Sequence, residues 1–435
     1  MLQNALQAFS GNIYLYLVGE SECIKGLLVK KHSENLRTHG DFSFPNSARS
    51  WHEFLNCDQI YKSEDLLEIV GRKAEDIVEE SKKWILSVSK VKEEKGRVCL
   101  FLERPRAIGV CLLESLKNNT FILQRLFEAA SVVELDSLIQ GKCDLTSLRA
   151  NYFSKAVNNL CAIFKVDCPV FVTSKSSSKS ADRRLLLSGT VLNAKSGAKE
   201  TNINAEQFIR IRQDEMTLIA QHKYGVRVST DSKWKEYIAH LGESAVVFEL
   251  LQTKSSGAVK INVDCSSAGS SKGASFVLYN CARLETIIRT YNEKVSEGTY
   301  PELPDLQNTD FTLLTQQDEW CLVFNYILGL PSLLTNCVEI NERTCEFRPH
   351  HLCSFLNSMV RVFSQYYRRV RILTEPRKHL LPVMFARIHL LKALNDTLKI
   401  CLKILNIKSL LIMQPYYKRA HIKKMFCLET LSSRD

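Results

Sequence analysis

The spacing of apolar residues along the chain becomes helical at about residue 276. In FVLYNCARLETIIRTY (276–291) apolar side chains recur every three or four positions, which predicts an amphipathic helix. These inward positions are Val277, Cys281, Leu284, Ile288 and Tyr291. Tyr279 and Arg283 lie on the opposite flank, and a Gly/Ser-rich passage (264–275) precedes the segment. We therefore expect this helix to open a helical domain.

Two later segments repeat the pattern and add cationic outer faces. In 350–373 the inward positions are Leu352, Phe355, Met359, Val362 and Tyr366. The opposite face carries Arg361, Arg368 and Arg371. In 379–407 the inward positions are Leu391, Leu394, Leu398, Leu402 and Leu405, and the outer ones are Lys392, Lys399 and Lys403. A further helix over 311–330 is expected to end before Pro331. Together these segments predict a helix bundle with two cationic stripes.

Arg387 interrupts the apolar face of the last helix. It shares that face with Leu391, Leu394 and Leu398. A cation in this position favours an inward arginine that pairs with a carboxylate or a helix end, rather than a ligand contact.

The first 95 residues are patterned less regularly. The apolar run NIYLYLV (12–18) predicts a strand, and 61–95 predicts one charged helix. Between them lies a basic, turn-rich passage, which is either a phosphate-contacting edge or an exposed loop. Its cationic and titratable residues are Lys30, Lys31, His32, Arg37 and His39.

Strand and helix patterns alternate between residues 97 and 224. RVCLFL (97–102) and CPVFVT (168–173) are apolar runs typical of buried strands. A Pro/Gly turn at 103–109 and a helical pattern over 110–139 lie between them. After a Ser/Lys-rich loop at 173–184, residues 185–199 predict strand, loop and strand, and Asn202 or Asn204 is expected to cap a helix. The alternation predicts an α/β layer.

Charge is concentrated in one part of the chain. Residues 343–424 hold 17 Lys and Arg against three acidic residues, a net +14. The whole chain has a formal net charge of +11, so the remainder sums to −3. A basic folded segment joined to a nearly neutral one is typical of a protein that binds a polyanion.

The cysteines and the hydropathy indicate a soluble protein with reduced thiols in the cytosol or the nucleus, and we predict a cytoplasmic location. The 15 cysteines include no C-x-x-C pair, which excludes a zinc ribbon and a thioredoxin motif. We find no signal peptide and no membrane-spanning segment in the sequence. Cys345, His350, His351 and Cys353 form one metal-like cluster, but its position at a helix start is more typical of capping and core. We therefore predict neither a metal nor another cofactor.

Three segments in order resemble the DALR anticodon-binding domain at the C-terminus of class I arginyl-tRNA synthetases. They are FVLYNCARL (276–284), LNSMVRVFSQYYRRVRIL (356–373) and ARIHLLKALNDTLKICLKILNI (386–407). The FV-x-YNCARL element is most similar to the DALR anticodon-binding domain-containing protein 3 family. Residues 30–42 resemble the early basic element of that family, and residues 244–253 the segment before its bundle.

The resemblance implies a fold class and a domain order. We expect an α/β N-terminal region, a degenerate class I synthetase-like layer, followed by an all-α DALR anticodon-binding helix bundle. The predicted segments are a basic and helical region (1–95), the α/β region (96–263), the DALR domain (264–413) and a basic tail (414–435).

The residues argue against the chemistry of the synthetases. Adenylation in class I synthetases uses a His-rich signature at the first strand–helix turn and a Lys-bearing loop, which stabilise charge on ATP phosphates. We assign that turn to ERPRAIG (103–109), and there is no histidine from Glu53 to Gln221. The loop equivalent, NAKSGAK (193–199), keeps only Lys195 and Lys199. No G-x-S-x-G, H-E-x-x-H or P-loop motif is present either. We predict a protein that is not an enzyme.

The resemblance implies a tRNA-binding adaptor that selects arginine tRNAs and delivers them to a methyltransferase making 3-methylcytidine in the anticodon loop. Tyr279, Tyr366 and Tyr367 are predicted to stack on bases. Arg283, Arg368, Arg369 and Arg371 are predicted phosphate or base contacts. Arg377, Lys378, Lys392, Lys399 and Lys403 would position the RNA. The alternatives are an active arginyl-tRNA synthetase and a basic scaffold for an acidic protein partner.

Overall fold

A computed structural model describes residues 2–19, 28–55, 63–128, 132–166, 169–174, 184–224, 232–263, 272–341 and 345–409. The chain forms two compact units, each built from separate stretches. Unit 1 comprises Met1–Asn118, Tyr300–Ser332 and Arg371–Leu394, and unit 2 comprises Asn119–Thr299, Leu333–Val370 and Asn395–Asp435. The four predicted sequence segments stay a prediction, since the units are defined by spatial contact.

Unit 1 begins with helix α1, Ala5–Val18. The Asn4 side chain accepts a hydrogen bond from the Gln7 amide at its start, and Gly19 ends it with a φ of 77°. The strand predicted at 12–18 is therefore wrong. Ile13, Tyr14, Tyr16 and Leu17 are buried as part of a helix and Leu15 is exposed, and a short apolar run does not distinguish the two structures.

The sheet of unit 1 is antiparallel, in the order β1-β2-β4-β3. Its strands are β1 (Lys30–Lys31), β2 (Phe42–Pro45), β3 (Val88–Glu94) and β4 (Arg97–Leu102). The strand predicted at 97–102 is confirmed. The single helix predicted at 61–95 is wrong, because the region holds α2 (Leu66–Ile69), α3 (Asp76–Ser81) and then β3. Gly71, with a φ of 66°, lies just after α2, and Lys95–Gly96 form the positive-φ turn between β3 and β4.

Helix α4, Arg104–Phe127, starts where a turn was predicted. Pro105 does not prevent this, because a proline in the first helical turn leaves no intrahelical bond unmade. The predicted continuation of this helix to residue 139 is also wrong, since Val133–Leu135 form strand β5. Downstream come α9 (Gln317–Cys321), a π-helical segment (Leu322–Ile327) and α10 (Leu330–Asn336). Pro331 lies in the first turn of α10 instead of ending the helix before it.

Unit 2 contains the predicted α/β layer. Strands β5, β6 (Val170–Thr173) and β7 (Arg184–Leu187) form a parallel sheet in that order. Helix α5, Leu145–Phe164, connects β5 to β6 as a crossover. Strands β8 (Val191–Asn193) and β9 (Val259–Ile261) form a second parallel pair. The strands predicted within 168–173 and 185–199 are confirmed.

The helical region is also confirmed. It consists of α6 (Ala205–Tyr224), α7 (Ser232–Leu251), α8 (Lys272–Ser296), α11 (Pro349–Arg369) and α12 (Leu381–Ile404). Asn204 caps α6, since its side chain accepts from the Gln207 amide at 2.8 Å. Helix α8 begins at Lys272, four residues before the predicted start. A hairpin of β10 (Val338–Ile340) and β11 (Cys345–Phe347) precedes α11.

The predicted inward faces agree with burial at most positions. Leu352, Met359 and Tyr366 of α11 are buried, while Phe355 and Val362 are half-buried. The five predicted leucines from Leu391 to Leu405 are all buried. Residues 175–183 of the predicted loop, 264–271 of the Gly/Ser-rich passage and the tail from 414 lie outside the described residues.

Arg387 forms the carboxylate pair expected from its position. Its Nε lies 2.9 Å from Glu319 Oε1, in unit 1, and the two side chains are 14% and 0% exposed. The second oxygen of Glu319 accepts from the Gln316 amide at 2.9 Å, which begins α9. The prediction of a structural arginine is confirmed.

We expect Glu319→Gln to lower the free energy of unfolding by about 2 kcal/mol, because the buried Arg387 keeps an acceptor but loses its counter-charge. Urea denaturation followed by circular dichroism measures this. Glu302→Gln, an exposed site in the same unit, is the control and should change stability little. Equal effects at both sites would contradict a buried ion pair.

Candidate nucleic-acid interface

Helices α8 and α11 bring Tyr279, Arg283 and Tyr367 into one stack. The guanidinium carbon of Arg283 lies 4.2 Å from the centre of the Tyr279 ring and 4.6 Å from that of Tyr367. Both distances are in the range of a cation–π contact. Arg283 also donates to the Tyr279 hydroxyl and to Asn280 Oδ1, the latter at 3.3 Å. We call these three residues the Tyr–Arg stack.

Burial changes the roles assigned to the tyrosines. Tyr366 is 0% exposed and Tyr279 is 4% exposed. Neither ring has a face on which a nucleobase can stack, so their predicted stacking role is wrong in this conformation. Tyr367 is only half-buried, and its ring centre lies 6.1 Å from that of Phe363. It is the tyrosine of the three that offers part of its surface to a ligand.

The cations at the end of α11 are exposed. Arg368 and Arg369 occupy its last turn, where a positive charge interacts favourably with the helix dipole. Arg361, earlier in the same helix, is exposed, and Lys403 is exposed in the last turn of α12. These four side chains belong to unit 2 and are positioned on well-formed helices.

Lys399 differs from the prediction, because its charge is neutralised within unit 2. It forms an ion pair with Glu285 of α8, and the two side chains are 31% and 13% exposed. Asn395 also donates to the same Glu285 oxygen. The cationic stripe predicted on α12 is therefore interrupted at Lys399.

The other predicted cations lie in unit 1. Arg371, Arg377, Lys378 and Lys392 are all exposed. Arg377 is 2.7 Å from Glu375, but both side chains are more than half exposed, so the pair contributes little. Its charge is available to a stronger anionic ligand.

Sequence reasoning overlooked the residues that support the Tyr–Arg stack. Asn280 is fully buried, donates to the Phe276 carbonyl at 2.8 Å and accepts from Arg283. Ser364 of α11 accepts from the same guanidinium at 3.5 Å. The signal was present in YNCARL, where a polar Asn lies between apolar positions of a predicted helix.

The metal-like cluster is divided between β11 and α11. Cys345 lies in the strand, the rings of His350 and His351 are 4.4 Å apart at their centres, and Cys353 is buried. Within the described ranges no three His, Cys, Asp or Glu side chains are arranged to hold a metal ion. Nearby, hydrogen bonds from Arg348 and then Lys254 lower the pKa of Glu346 to about 2. An ion-pair network therefore surrounds this hairpin.

The strand–helix turn relevant to adenylation lies elsewhere than predicted. ERPRAIG follows β4 of the antiparallel sheet, so it is not the first turn of a parallel layer. The first such turn joins β5 to α5, at residues 136–144, and it also has no histidine. Asp144 caps α5, and its Oδ1 accepts from the Thr146 and Ser147 amides at 3.0 and 3.1 Å. A carboxylate thus occupies the helix N-terminus where a phosphate would otherwise bind.

The carboxyl ends of the parallel strands carry buried polar side chains. Asp136 follows β5 and accepts from the Thr173 hydroxyl of β6 at 2.7 Å. Ser188 follows β7, and these three residues are between 0% and 8% exposed. Lys195 and Lys199 are exposed in the loop after β8. At the edge where ligands bind in open α/β sheets, Asp136 and Thr173 therefore bond to each other, while the buried Ser188 hydroxyl makes no hydrogen bond within the described residues.

None of the helices in the described part of the chain has the length and apolarity needed to span a bilayer.

Comparison with known proteins agrees with this geometry. Residues 277–413 match the family model of the DALR anticodon binding domain. The chain is 34% identical over 241 residues to DALR anticodon-binding domain-containing protein 3 of Danio rerio, covering 54% of this chain and 42% of that protein. The protein of the same name from Rattus norvegicus is 34% identical over 203 residues, covering 46% of this chain and 38% of its own length. The matches thus span about two fifths of these relatives.

Solved structures show the same fold at low sequence identity. Arginyl-tRNA synthetase of Thermus thermophilus aligns with a TM-score of 0.50 and 12% identity, over 92% of this chain and 98% of that one. The Plasmodium falciparum enzyme aligns with a TM-score of 0.51 and 10% identity, over 87% and 94%. The predicted fold class is confirmed. Residues 277–413 are therefore a DALR anticodon-binding domain, and the predicted resemblance of the chain to the DALR anticodon-binding domain-containing protein 3 family is confirmed.

Proposed function

We propose that this chain binds tRNA through its DALR domain and does not catalyse aminoacylation. The observation that carries the proposal is the coincidence of three features in residues 277–413: the domain match, the Tyr–Arg stack and the exposed arginines at the end of α11. Flexible RNA loops are recognised by aromatic and guanidinium planes together with phosphate contacts, and this surface offers all of these.

The residues divide into two roles. Tyr367 supplies the stacking surface, and Arg283 holds its ring from the inner side. Arg368, Arg369 and Lys403 contact phosphates in unit 2, and Arg371, Arg377, Lys378 and Lys392 do so in unit 1. Lys399 acts indirectly, since its pair with Glu285 fixes α12 against α8 within unit 2.

The absence of catalysis is proposed from the residues that are present. Asp144 places a negative charge at the N-terminus of α5, where it repels nucleotide phosphates. Asp136, Thr173 and Ser188 are buried at the strand ends, so the polar groups that would hold a ligand are turned inward. The turn from β5 to α5 has no histidine to stabilise charge in an adenylation transition state.

We further propose that the protein is a cytoplasmic adaptor, which selects arginine tRNAs and presents them to a methyltransferase that forms 3-methylcytidine in the anticodon loop. The resemblance to the DALR anticodon-binding domain-containing protein 3 family supports this part. A binding surface without an adenylation site suits a protein that delivers RNA to a separate enzyme.

The test is a binding titration of this chain with arginine tRNA and with several other tRNAs at fixed ionic strength. We expect arginine tRNA to bind at least about 10-fold more tightly, since one or two specific base contacts are each worth about that factor. Equal affinity for all tRNAs would contradict selectivity. Arginine-dependent exchange between ATP and pyrophosphate would contradict the absence of catalysis and indicate a synthetase. A protein partner that co-purifies after nuclease treatment, with no RNA binding, would indicate the scaffold instead.

A further inference from the structure

Two arginines of unit 1 converge on one uncharged oxygen. Arg37 Nε and an η-nitrogen of Arg104 each donate to Gln317 Oε1, both at 3.1 Å. The two guanidinium groups are therefore neighbours, joined by a neutral acceptor. Across the described residues no ion pair links either arginine to a carboxylate. Glu34 and Asp318 are nearby, since the charge of each helps to raise the pKa of the Cys321 thiol.

A third cation, Lys31, lies near these arginines, over a pair of stacked aromatic rings. The rings of Trp320 and Phe324 are stacked at 5.3 Å, with the Arg104 guanidinium over Trp320 and the Lys31 ammonium over Phe324. Three cations thus meet at this place: Lys31, Arg37 and Arg104. Burial lowers the pKa of Lys31 to about 8, because desolvation disfavours its charged form.

Asp41 is a buried carboxylate that interacts electrostatically with Arg104 and Lys31. It is 0% exposed, and its two oxygens accept from the Trp320 indole and the Leu102 amide, both at 2.8 Å. Each of its oxygens accepts from one neutral donor, and its charge offsets part of the charge of Lys31 and Arg104. At the surface Arg37 is exposed and Arg104 is half-buried, and neither guanidinium group forms an ion pair with a carboxylate within the described residues.

We propose that Arg37 and Arg104, bridged by Gln317, form a phosphate-binding clamp in unit 1. A phosphate offers enough oxygens to accept from both guanidinium forks, whereas a carboxylate has two oxygens and fits one fork. Within the described residues each arginine uses one N–H on Gln317, which leaves the other N–H groups of both guanidinium forks available to a phosphate. Arg104 is also the first residue of α4, whose N-terminus adds partial positive charge.

The ligand is recognised by its phosphate and not by a base. Trp320 is 1% exposed beneath Arg104 and gives no stacking face. Two sources have this chemistry: a backbone phosphate of an RNA, and a free phosphate or phosphorylated metabolite. The clamp lies outside the helices that form the Tyr–Arg stack, so it goes beyond the proposed anticodon contact.

The first experiment measures the Tm of the full chain in sodium phosphate and in sodium chloride at equal ionic strength and pH. We expect phosphate to raise the Tm by about 2 °C over chloride when it saturates the clamp. The double variant Arg37→Gln with Arg104→Gln should lose this increment. Arg49→Gln with Lys90→Gln makes the same charge change at exposed positions of unit 1 and should keep it.

Gln317→Glu provides a test that does not depend on a destabilised protein. The new carboxylate would form ion pairs with both arginines. The Tm in chloride should therefore rise, and the difference in Tm between phosphate and chloride should disappear. No increment in the original chain, or an increment that survives in the double variant, would overturn the clamp.

A second measurement identifies the source. A loss of tRNA affinity of about 5-fold or more in the double variant, without loss in the control pair, would assign the clamp to an RNA phosphate. Unchanged tRNA affinity with a lost phosphate increment would assign it to a small phosphorylated ligand. The Tm arm needs no tRNA, so failure of tRNA binding and failure of the clamp are separate results.

Discussion

Replacing Arg149 by methionine should lower the free energy of unfolding by about 4 kcal/mol, since the change leaves several buried acceptors without a donor. Arg149 lies on α5 and is 1% exposed. Its guanidinium donates to the carbonyls of Leu250 at 3.0 Å, Gly189 at 2.8 Å, Gly257 at 2.6 Å and Lys254 at 3.0 Å. Burial lowers its pKa to about 10, so it is still charged at neutral pH.

These acceptors explain why one side chain has so large an effect. Leu250 lies in the last turn of α7, where the helix carbonyls favour a cation, and Lys254 follows that helix by three residues. Gly189 and Gly257 belong to segments that approach each other so closely that a Cβ on Gly189 would lie 2.2 Å from the Gly257 oxygen. Arg149 thus joins the parallel strands of unit 2 to the helix before β9.

The measurement is urea denaturation followed by circular dichroism. Arg149→Lys keeps the charge but has fewer donors and a different geometry, so it should lose an intermediate amount. Arg210→Met, at an exposed arginine of α6 that pairs with Glu206, is the control and should lose less than about 0.5 kcal/mol. A loss at Arg149 as small as that of the control would show that solvent replaces these hydrogen bonds.

Helical periodicity correctly predicted the helices that bury one apolar face and expose the other. The faces of α11 and α12 follow a regular three- and four-residue spacing, and the leucines from Leu391 to Leu405 are all buried. Arg387 was identified as inward by the same spacing. Arg149 follows the rule as well, because it lies four residues after Leu145 and four before Phe153, both buried.

The predictions are wrong where the spacing of apolar residues does not show which element a segment packs against. NIYLYLV is mostly apolar, so its apolar spacing fits a strand or a helix equally well, and the caps at Asn4 and Gly19 are those of a helix. The strand β3 is charged at most positions because its outer face meets solvent, so it resembled the end of a charged helix. Neither pattern states which element lies next to it.

The sequence predicted which residues of the candidate site are charged and exposed, but it did not predict which side chains they contact. Arg368 and Arg369 are exposed as expected, because a run of arginines at a helix end has nowhere to be buried. The burial of Tyr366, the cover of Tyr279 by Arg283 and the pairing of Lys399 with Glu285 depend on how α8, α11 and α12 pack. The apolar periodicity of a single helix does not show which side chains of neighbouring helices it contacts.

Reversing one charge in the last turn of α11 and one two residues beyond it, in the double variant Arg368→Glu with Arg371→Glu, should weaken tRNA binding by about 100-fold at physiological salt. Both side chains are exposed, so the fold does not depend on burying them. Each reversal removes one phosphate contact and adds a repulsion. The slope of log affinity against log salt concentration should fall by roughly 2.

The matched control is Lys90→Glu with Lys155→Glu, which makes the same change in net charge at exposed sites of β3 and α5. Because screening limits exposed charges to about 8 Å at physiological ionic strength, this control should lose only a few-fold in affinity. Equal losses in the two double variants would show that the net charge of the chain, and not the end of α11, attracts the RNA. A large loss confined to the α11 variant, with an unchanged far-UV circular dichroism spectrum, ties binding to this surface of the DALR domain.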